Sequence, residues 1–258
     1  MDKKIAIGIG IGCAISLFIA LIAGVAFVAG GAFARWTASP EIRREPISNV
    51  DYALQFDGLD DYVDLGNWFN YDTFTLAMWV NPASSQVTYA DIIDNNHTDF
   101  RSWVIQQDQD NINRYLSGVK DGSSVIYFTL TANTWQHIAV TRSDGVRKVY
   151  VNGSLINTAT GSSSIVYDGT QILSLARYGW SGRHWKGQMD EVQIWDVALT
   201  QQQIQNYIKR RLNGNESGLV AYYRFDEGSS IIAKDSSLHG HDGRLYNNPV
   251  WVISSVPK

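Results

Sequence analysis

The chain has 258 residues, 45% hydrophobic and 18% charged, with a formal net charge of −4. That hydrophobic content excludes a disordered polymer. No basic block is longer than Lys209–Arg211, which argues against nucleic acid as a partner. The single cysteine, Cys13, excludes both a disulfide scaffold and a cysteine metal centre.

Residues 1–4 form a short cationic start, and residues 5–34 carry no charge at all. About 20 apolar residues cross a bilayer as a helix, so 5–34 is expected to be a transmembrane signal anchor. The rival is a cleaved signal peptide, because Ala32-Phe33-Ala34 has the small-x-small form of a cleavage site. The apolar core of such a peptide is only about 7–15 residues, which favours the uncleaved anchor. Lys3 and Lys4 against Arg35, Arg43 and Arg44 leave the charge rule close to a tie. It is resolved toward an inside N-terminus, with the following domain on the outer face of a cell or virion membrane. Gly8/Gly12 and Ala20/Gly24 are small-xxx-small pairs through which such helices could form a homo-oligomer. Residues 35–49, with Pro40 and Pro46, are expected to be an extended stalk.

From residue 50 to 258 short strand patterns alternate with turn signals. Tyr52–Phe56 and Tyr62–Leu65 flank an Asp-Gly turn. Thr73–Val80 alternates, with Phe74, Leu76, Met78 and Val80 on one face. Ala90–Ile93, Ser102–Gln106, Tyr115–Val119 and Ser124–Thr129 follow, then Trp135–Arg142 and Arg147–Val151. Asn152-Gly153 fits the type I′ turn of a hairpin. Gln171–Ala176, Gln188–Trp195, Val220–Phe225 and Arg244–Leu245 complete the set. Strands at this spacing predict an all-β sandwich or barrel. Nine Trp, thirteen Tyr and nine Phe agree with a β-rich interior.

The stretch Gly187–Leu212 breaks the pattern. Period two places Met189, Glu191, Gln193 and Trp195 on one face and Asp190, Val192, Ile194 and Asp196 on the other. Thr200 and Gln203 then form a capping box, opening a helix whose apolar face is Ile204, Tyr207, Ile208 and Leu212. Lys209, Arg210 and Arg211 are expected in its last turn and Gly214 as its stop.

Several segments resemble laminin-G-like jelly-roll domains of the concanavalin A-like lectin/glucanase superfamily. They are Phe56–Gly66, Phe74–Val80, Trp135–Thr141 with Val149–Gly153, Asp190–Trp195 with Ala198-Leu199-Thr200, and Gly218–Gly228. The resemblance spans about residues 50–253. It implies a two-sheet antiparallel sandwich with one short packed helix, and a Ca²⁺ near the first strand. Asp190 and Asp57 would be its ligands. The residues themselves allow plainer readings: Asp57 as a turn acid bonding its own backbone, Asp190 as a buried carboxylate satisfied by N–H groups. Asp60, Asp61 and Asp64 are expected to be solvated.

A retaining glycosidase needs two carboxylates about 5–5.5 Å apart on one face. Period two puts Asp190 and Glu191 on opposite faces, so no catalytic pair is expected and the chain is taken as a non-enzyme. His137, between Trp135 and Ala139, is expected to be a packed sheet residue. Aromatic faces and arginines are the residue types that hold sugars and protein partners. The loop 177–186 offers Arg177, Tyr178, Trp180, Arg183 and Trp185, and these are the expected ligand-binding residues; the plainer reading of Trp185 is that it covers the sandwich edge. Asn96, Asn152 and Asn215 open glycosylation sequons. The function expected is that of a membrane-anchored surface protein in binding or adhesion, recognising a glycan or a protein. The alternative is a structural component of a surface or virion assembly.

Overall fold

The computed structural model describes residues 50–95, 103–109, 111–167, 169–179 and 182–257. These lie within the unit Ser48–Lys258. The anchor expected at 5–34 and the stalk at 35–49 fall outside the described residues. Among the described residues, no helix is long and apolar enough to cross a membrane.

The elements in order are β1 (Tyr52–Asp57), β2 (Tyr62–Asp64), β3 (Phe74–Pro82), β4 (Asp91–Asp94), β5 (Trp103–Asp108), β6 (Asn111–Val119), β7 (Ile126–Thr129) and β8 (Gln136–Ser143). They continue with β9 (Val146–Val151), β10 (Ser154–Thr160), β11 (Ser174–Leu175), β12 (Lys186–Trp195), α1 (Gln201–Tyr207), β13 (Leu219–Tyr223), β14 (Ile232–Ala233), β15 (Gly243–Tyr246) and β16 (Val250–Ile253). The first sheet runs β10-β9-β8-β3-β12-β1-β16, with β13 also on β12; the second runs β14-β15-β2-β11-β4-β5-β6-β7. Central pairs such as β3–β12, β3–β8 and β5–β6 are antiparallel. The all-β antiparallel sandwich with one helix is therefore observed. β14 and β16 are additional to the strands expected from the sequence; β16 is the edge strand that pairs with β1.

The interior lies between the sheets. Phe74, Leu76, Met78 and Val80 of β3 enter it together, as their alternation requires, and meet Ile93, Ile105, Tyr115 and Phe128 from the second sheet. Each such side chain contributes roughly 1.5–3 kcal/mol by leaving water. A second, smaller cluster lies on the outer face of the first sheet, where α1 packs. Ile204 and Leu212 there cover Trp195, Ala77, Ala139 and Tyr150. Trp195 stacks on Tyr207 at 5.0 Å.

Two expectations for Gly187–Leu212 are corrected. Simple alternation along β12 fails: Met189, Val192 and Ile194 all face the interior, and Trp195 faces the helix. A β-bulge between Asp190 and Gln193 breaks the register with β3, and Glu191 takes a positive φ of 52°. An extra residue turns both Asp190 and Glu191 outward. The helix is also shorter than its sequence pattern. The Thr200–Gln203 capping box is present, but α1 ends at Tyr207 with no basic residue in its last turn. Arg211 instead leaves the helix and pairs with Glu191 (3.1 Å), Asp226 (2.7 Å) and Asp51 (3.0 Å). Three carboxylates outweigh the macrodipole, which is worth about 0.3–1 kcal/mol.

The Asn-Gly hairpin forms as expected, with Asn152 at φ 49° and Gly153 at φ 75°. It also seats the helix. Gly153 O accepts the side-chain amides of Gln201 (2.9 Å) and Gln205 (3.0 Å). A Cβ on Gly153 would stand 2.8 Å from Gln205 Cγ.

Candidate functional site

The outer face of the second sheet carries a group of stacked tyrosine and arginine side chains. Tyr62 of β2 and Tyr246 of β15 are register partners, and their rings stack at 4.7 Å and 6°. The Arg177 guanidinium lies 3.8 Å over Tyr62, and Arg244 lies 5.5 Å over Tyr246. Beside them Arg183 lies over both Tyr178 (4.7 Å) and Tyr89 (5.0 Å). Cation–π contacts of this kind are worth about 0.5–1 kcal/mol each at exposed sites. Their larger consequence is order: each arginine is held against a tyrosine ring, and Arg177 Nε is shielded from solvent with no hydrogen-bond partner.

The loop after β11 supplies Arg177, Tyr178 and Arg183. It leaves the strand at Ala176, which takes a positive φ of 61°. Backbone bonds hold it across β4: Ala176 N–H donates to Ile92 O (2.9 Å), and Asp91 N–H donates to Arg183 O (3.1 Å). Gly179 N–H donates to Asp94 Oδ2 (3.3 Å).

Beneath this loop stand two acids that period two would have separated. A bulge between Asp91 and Ile93 sends Ile92 and Ile93 both into the core. Asp91 and Asp94 then share the outer face, opposite Gln106 and Val104. Both are 0% exposed. Neither oxygen of Asp91 has a hydrogen-bond partner. Burial first, and then the charge of Asp94, push the Asp91 carboxyl well above its usual range; the charge of Arg183 and the Gln106 amide oppose them. Burying an unpaired charge is costly, so Asp91 holds its proton far above the pH at which a free aspartate loses it.

Of the residues expected to bind ligand, Arg177, Tyr178 and Arg183 are brought together. Trp180 lies outside the described residues. Trp185 is a correction: it is 0% exposed, packs on Phe56 at 6.3 Å and closes the core where the loop re-enters the sheet. Gly187 has no room for a side chain, since a Cβ there would lie 2.5 Å from Asn81 O and 2.6 Å from the Trp185 ring. Sequence reasoning missed Asp91, Asp94, Tyr62, Tyr89 and Tyr246. The one available signal was the acid pair bracketing Ile92-Ile93. His137 is 2% exposed, as a packed sheet residue should be, and burial lowers its pKa to about 3.

The acids near the first strand also gather. Carboxylate oxygens of Asp57, Asp60 and Asp61 lie within 4.8 Å of one another. Asp57 Oδ1 accepts Leu59 N–H (2.8 Å), the turn bond read from sequence. Asp61 Oδ2 accepts Asp57 N–H (3.0 Å), while Asp61 Oδ1 is shielded and has no partner. Asp61 was expected to be solvated and is instead 3% exposed. Burial, with Asp57 and Asp60 adding to it, raises its pKa to about 6. Clustered carboxylates with an orphaned buried oxygen fit a hard cation such as Ca²⁺. Asp190 does not join this group. It is 0% exposed; Oδ1 accepts Glu191 N–H (2.8 Å) and Oδ2 accepts the Ser254 hydroxyl (2.5 Å). Asp190 and Glu191 do share a face, contrary to the alternation argument, but Glu191 is already engaged by Tyr222 and Arg211. Of the sequon asparagines, Asn96 lies outside the described residues. Asn152 Oδ1 accepts His137 N–H (2.9 Å), and Asn215 is exposed.

Comparison with known proteins gives a consistent fold. A family model described as the concanavalin A-like lectin/glucanases superfamily matches residues 57–205. No curated protein matches the chain. Among solved structures, one similar chain is described as a candidate carbohydrate-binding protein from Bacteroides ovatus. The TM-score is 0.67 at 18% identity, over 81% of this chain and 61% of that one. Another is the heptameric SAP-like pentraxin from Limulus polyphemus, with a TM-score of 0.55 at 16% identity, over 80% of this chain and 96% of that one.

Proposed function

This chain belongs to the concanavalin A-like lectin/glucanases superfamily, and on that premise we propose that it is a surface binding protein that holds glycan on the outer face of its second sheet. The observation that carries this reading is the pair of arginine–tyrosine stacks, Arg177–Tyr62–Tyr246–Arg244 and Tyr178–Arg183–Tyr89. Half-buried tyrosines offer hydroxyls and ring edges, and fixed guanidinium edges offer paired donors to hydroxyl or carboxylate oxygens. Residues 5–34 would carry the sandwich on a membrane. Ca²⁺ at Asp57, Asp60 and Asp61 would steady the turn between β1 and β2, whose neighbour Asp61 accepts a contact from the binding face: its carbonyl lies 3.3 Å from His184 Nδ1.

The test is a glycan array probed with the full-length chain and with Arg177→Ala and Arg183→Ala. Each substitution is expected to weaken the glycans that score by about tenfold, the loss of roughly one charge-assisted contact. Glycan signals that survive both substitutions unchanged would refute this face as the site. A protein ligand in place of a glycan would show as an empty array.

A further inference from the structure

The outer face of the first sheet carries a separate polar feature. Gln55 of β1, Gln188 of β12 and Asn81 of β3 are register partners across three neighbouring strands. Their carboxamides are joined head to tail. Asn81 Nδ2 donates to Gln188 Oε1 (3.4 Å), and Gln188 Nε2 donates to Gln55 Oε1 (3.1 Å). Such a row leaves a donor at the Gln55 end and an acceptor at the Asn81 end. The acceptor, Asn81 Oδ1, is shielded from solvent and has no partner. An acceptor in that state costs roughly 1–3 kcal/mol until something donates to it.

The row lines a groove of about 400 Å³. Small-molecule sites run from about 300 to 1,000 Å³. Asp57, Lys186 and Asn133 complete its polar rim, and Asp57 and Lys186 are themselves register partners. The one aromatic residue that reaches it, Phe56, is 1% exposed.

We infer that this groove is a second binding site, for a neutral, hydroxyl-rich saccharide. The row ends in one unpaired donor and one unpaired acceptor, and a hydroxyl is both. Sugar hydroxyls accept from the amide nitrogens left over along the row, and Asn81 Oδ1, shielded in the unliganded groove, takes a hydroxyl donor once the Asn81 side chain turns toward the ligand. An apolar ligand would leave the row unmatched. An anionic ligand would meet Asp57 as well as Lys186, so the charge pair selects against net charge. The site stands on its own residues and does not depend on the arginine–tyrosine face. With that face on the other sheet, one sandwich would hold two glycan segments, and avidity would exceed either affinity alone.

Isothermal titration of the full-length chain with two neutral tetrasaccharides, maltotetraose and cellotetraose, tests this. At least one is expected to bind, and Asn81→Ala and Gln188→Ala are each expected to weaken it by about tenfold. Arg177→Ala should leave this titration unchanged. Melting curves confirm that each variant is folded. Absence of binding by both tetrasaccharides overturns the inference, as does binding that Arg177→Ala abolishes and Asn81→Ala does not. The second result would leave the arginine–tyrosine site standing.

Discussion

In β12 and in β4 a bulge turns a pair of acids toward the outside of its sheet, and the two pairs meet different fates. Asp190 and Glu191 are covered by partners: Glu191 N–H, Ser254, Tyr222 and Arg211. Around them the helix, β13 and the N-terminal edge of β1 are drawn into one network. Asp91 and Asp94 are as deeply buried, yet neither carboxylate oxygen of Asp91 accepts a hydrogen bond of good geometry, and only the charge of Arg183 and the neighbouring Gln106 amide favour its ionised form. The first pair is a joint. The second is a local conflict kept beneath the loop that carries Arg177, Tyr178 and Arg183. Natural sequences satisfy their polar groups almost everywhere, and the exceptions cluster where function needs them.

The comparison can be broken hardest at the joint. Deleting residues 200–212 removes Ile204 and Leu212 from Trp195 and also removes Arg211, and the sandwich is expected not to fold. A cooperative melt near the parent's would show that the helix is peripheral. Arg211→Ala alone leaves Glu191, whose side chain is 6% exposed, without its cation. Breaking a buried pair from one side costs about 3–5 kcal/mol; Arg211 is partly exposed, so the lower end is expected. Denaturant unfolding measures this, and a loss below about 1 kcal/mol would mean that the network is ornamental.

At the conflict the sign reverses. The folded-state pKa of Asp91 is raised, so the native state holds a proton that the unfolded chain releases. Stability from this group is present below the unfolded pKa and falls as pH rises toward the folded value. Asp91→Asn should therefore raise the melting temperature at pH 7 and do nothing near pH 3. A variant destabilised at pH 7 would mean that the carboxylate has a partner after all.

The smallest effect concerns Asp61, with its pKa raised to about 6. A cation at Asp57, Asp60 and Asp61 must displace that proton, so its affinity should climb as pH passes through about 6. Saturating Ca²⁺ at pH 7.5 should raise the melting point by a few degrees, and by less at pH 5. Asp61→Asn should abolish the shift. Identical melts with calcium and with chelator at both pH values would remove the metal.

Local pattern decided a good deal of this protein. Alternation in β3, the Asn152-Gly153 turn, the Thr200–Gln203 box and the Asp57 turn bond all depend on residues within a few positions of one another, and all are present. The grouping of Arg177, Tyr178 and Arg183 was legible for the same reason: they share one loop. What the sequence could not settle depended on partners far along the chain. Both bulges shift the phase of a strand by one residue. Whether that shift is tolerated depends on the facing strand and on the core volume, so Asp91 with Asp94, and Asp190 with Glu191, changed faces. Trp185 looked like a loop aromatic, but the space beside Phe56 and Gly187 took it inward. Tyr62 and Tyr246 are far apart in sequence and meet only because β2 and β15 are neighbours. The amide row of Gln55, Gln188 and Asn81 exists for the same reason: sheet order places side chains from β1, β12 and β3 side by side, and no periodicity within any one of those strands contains that order.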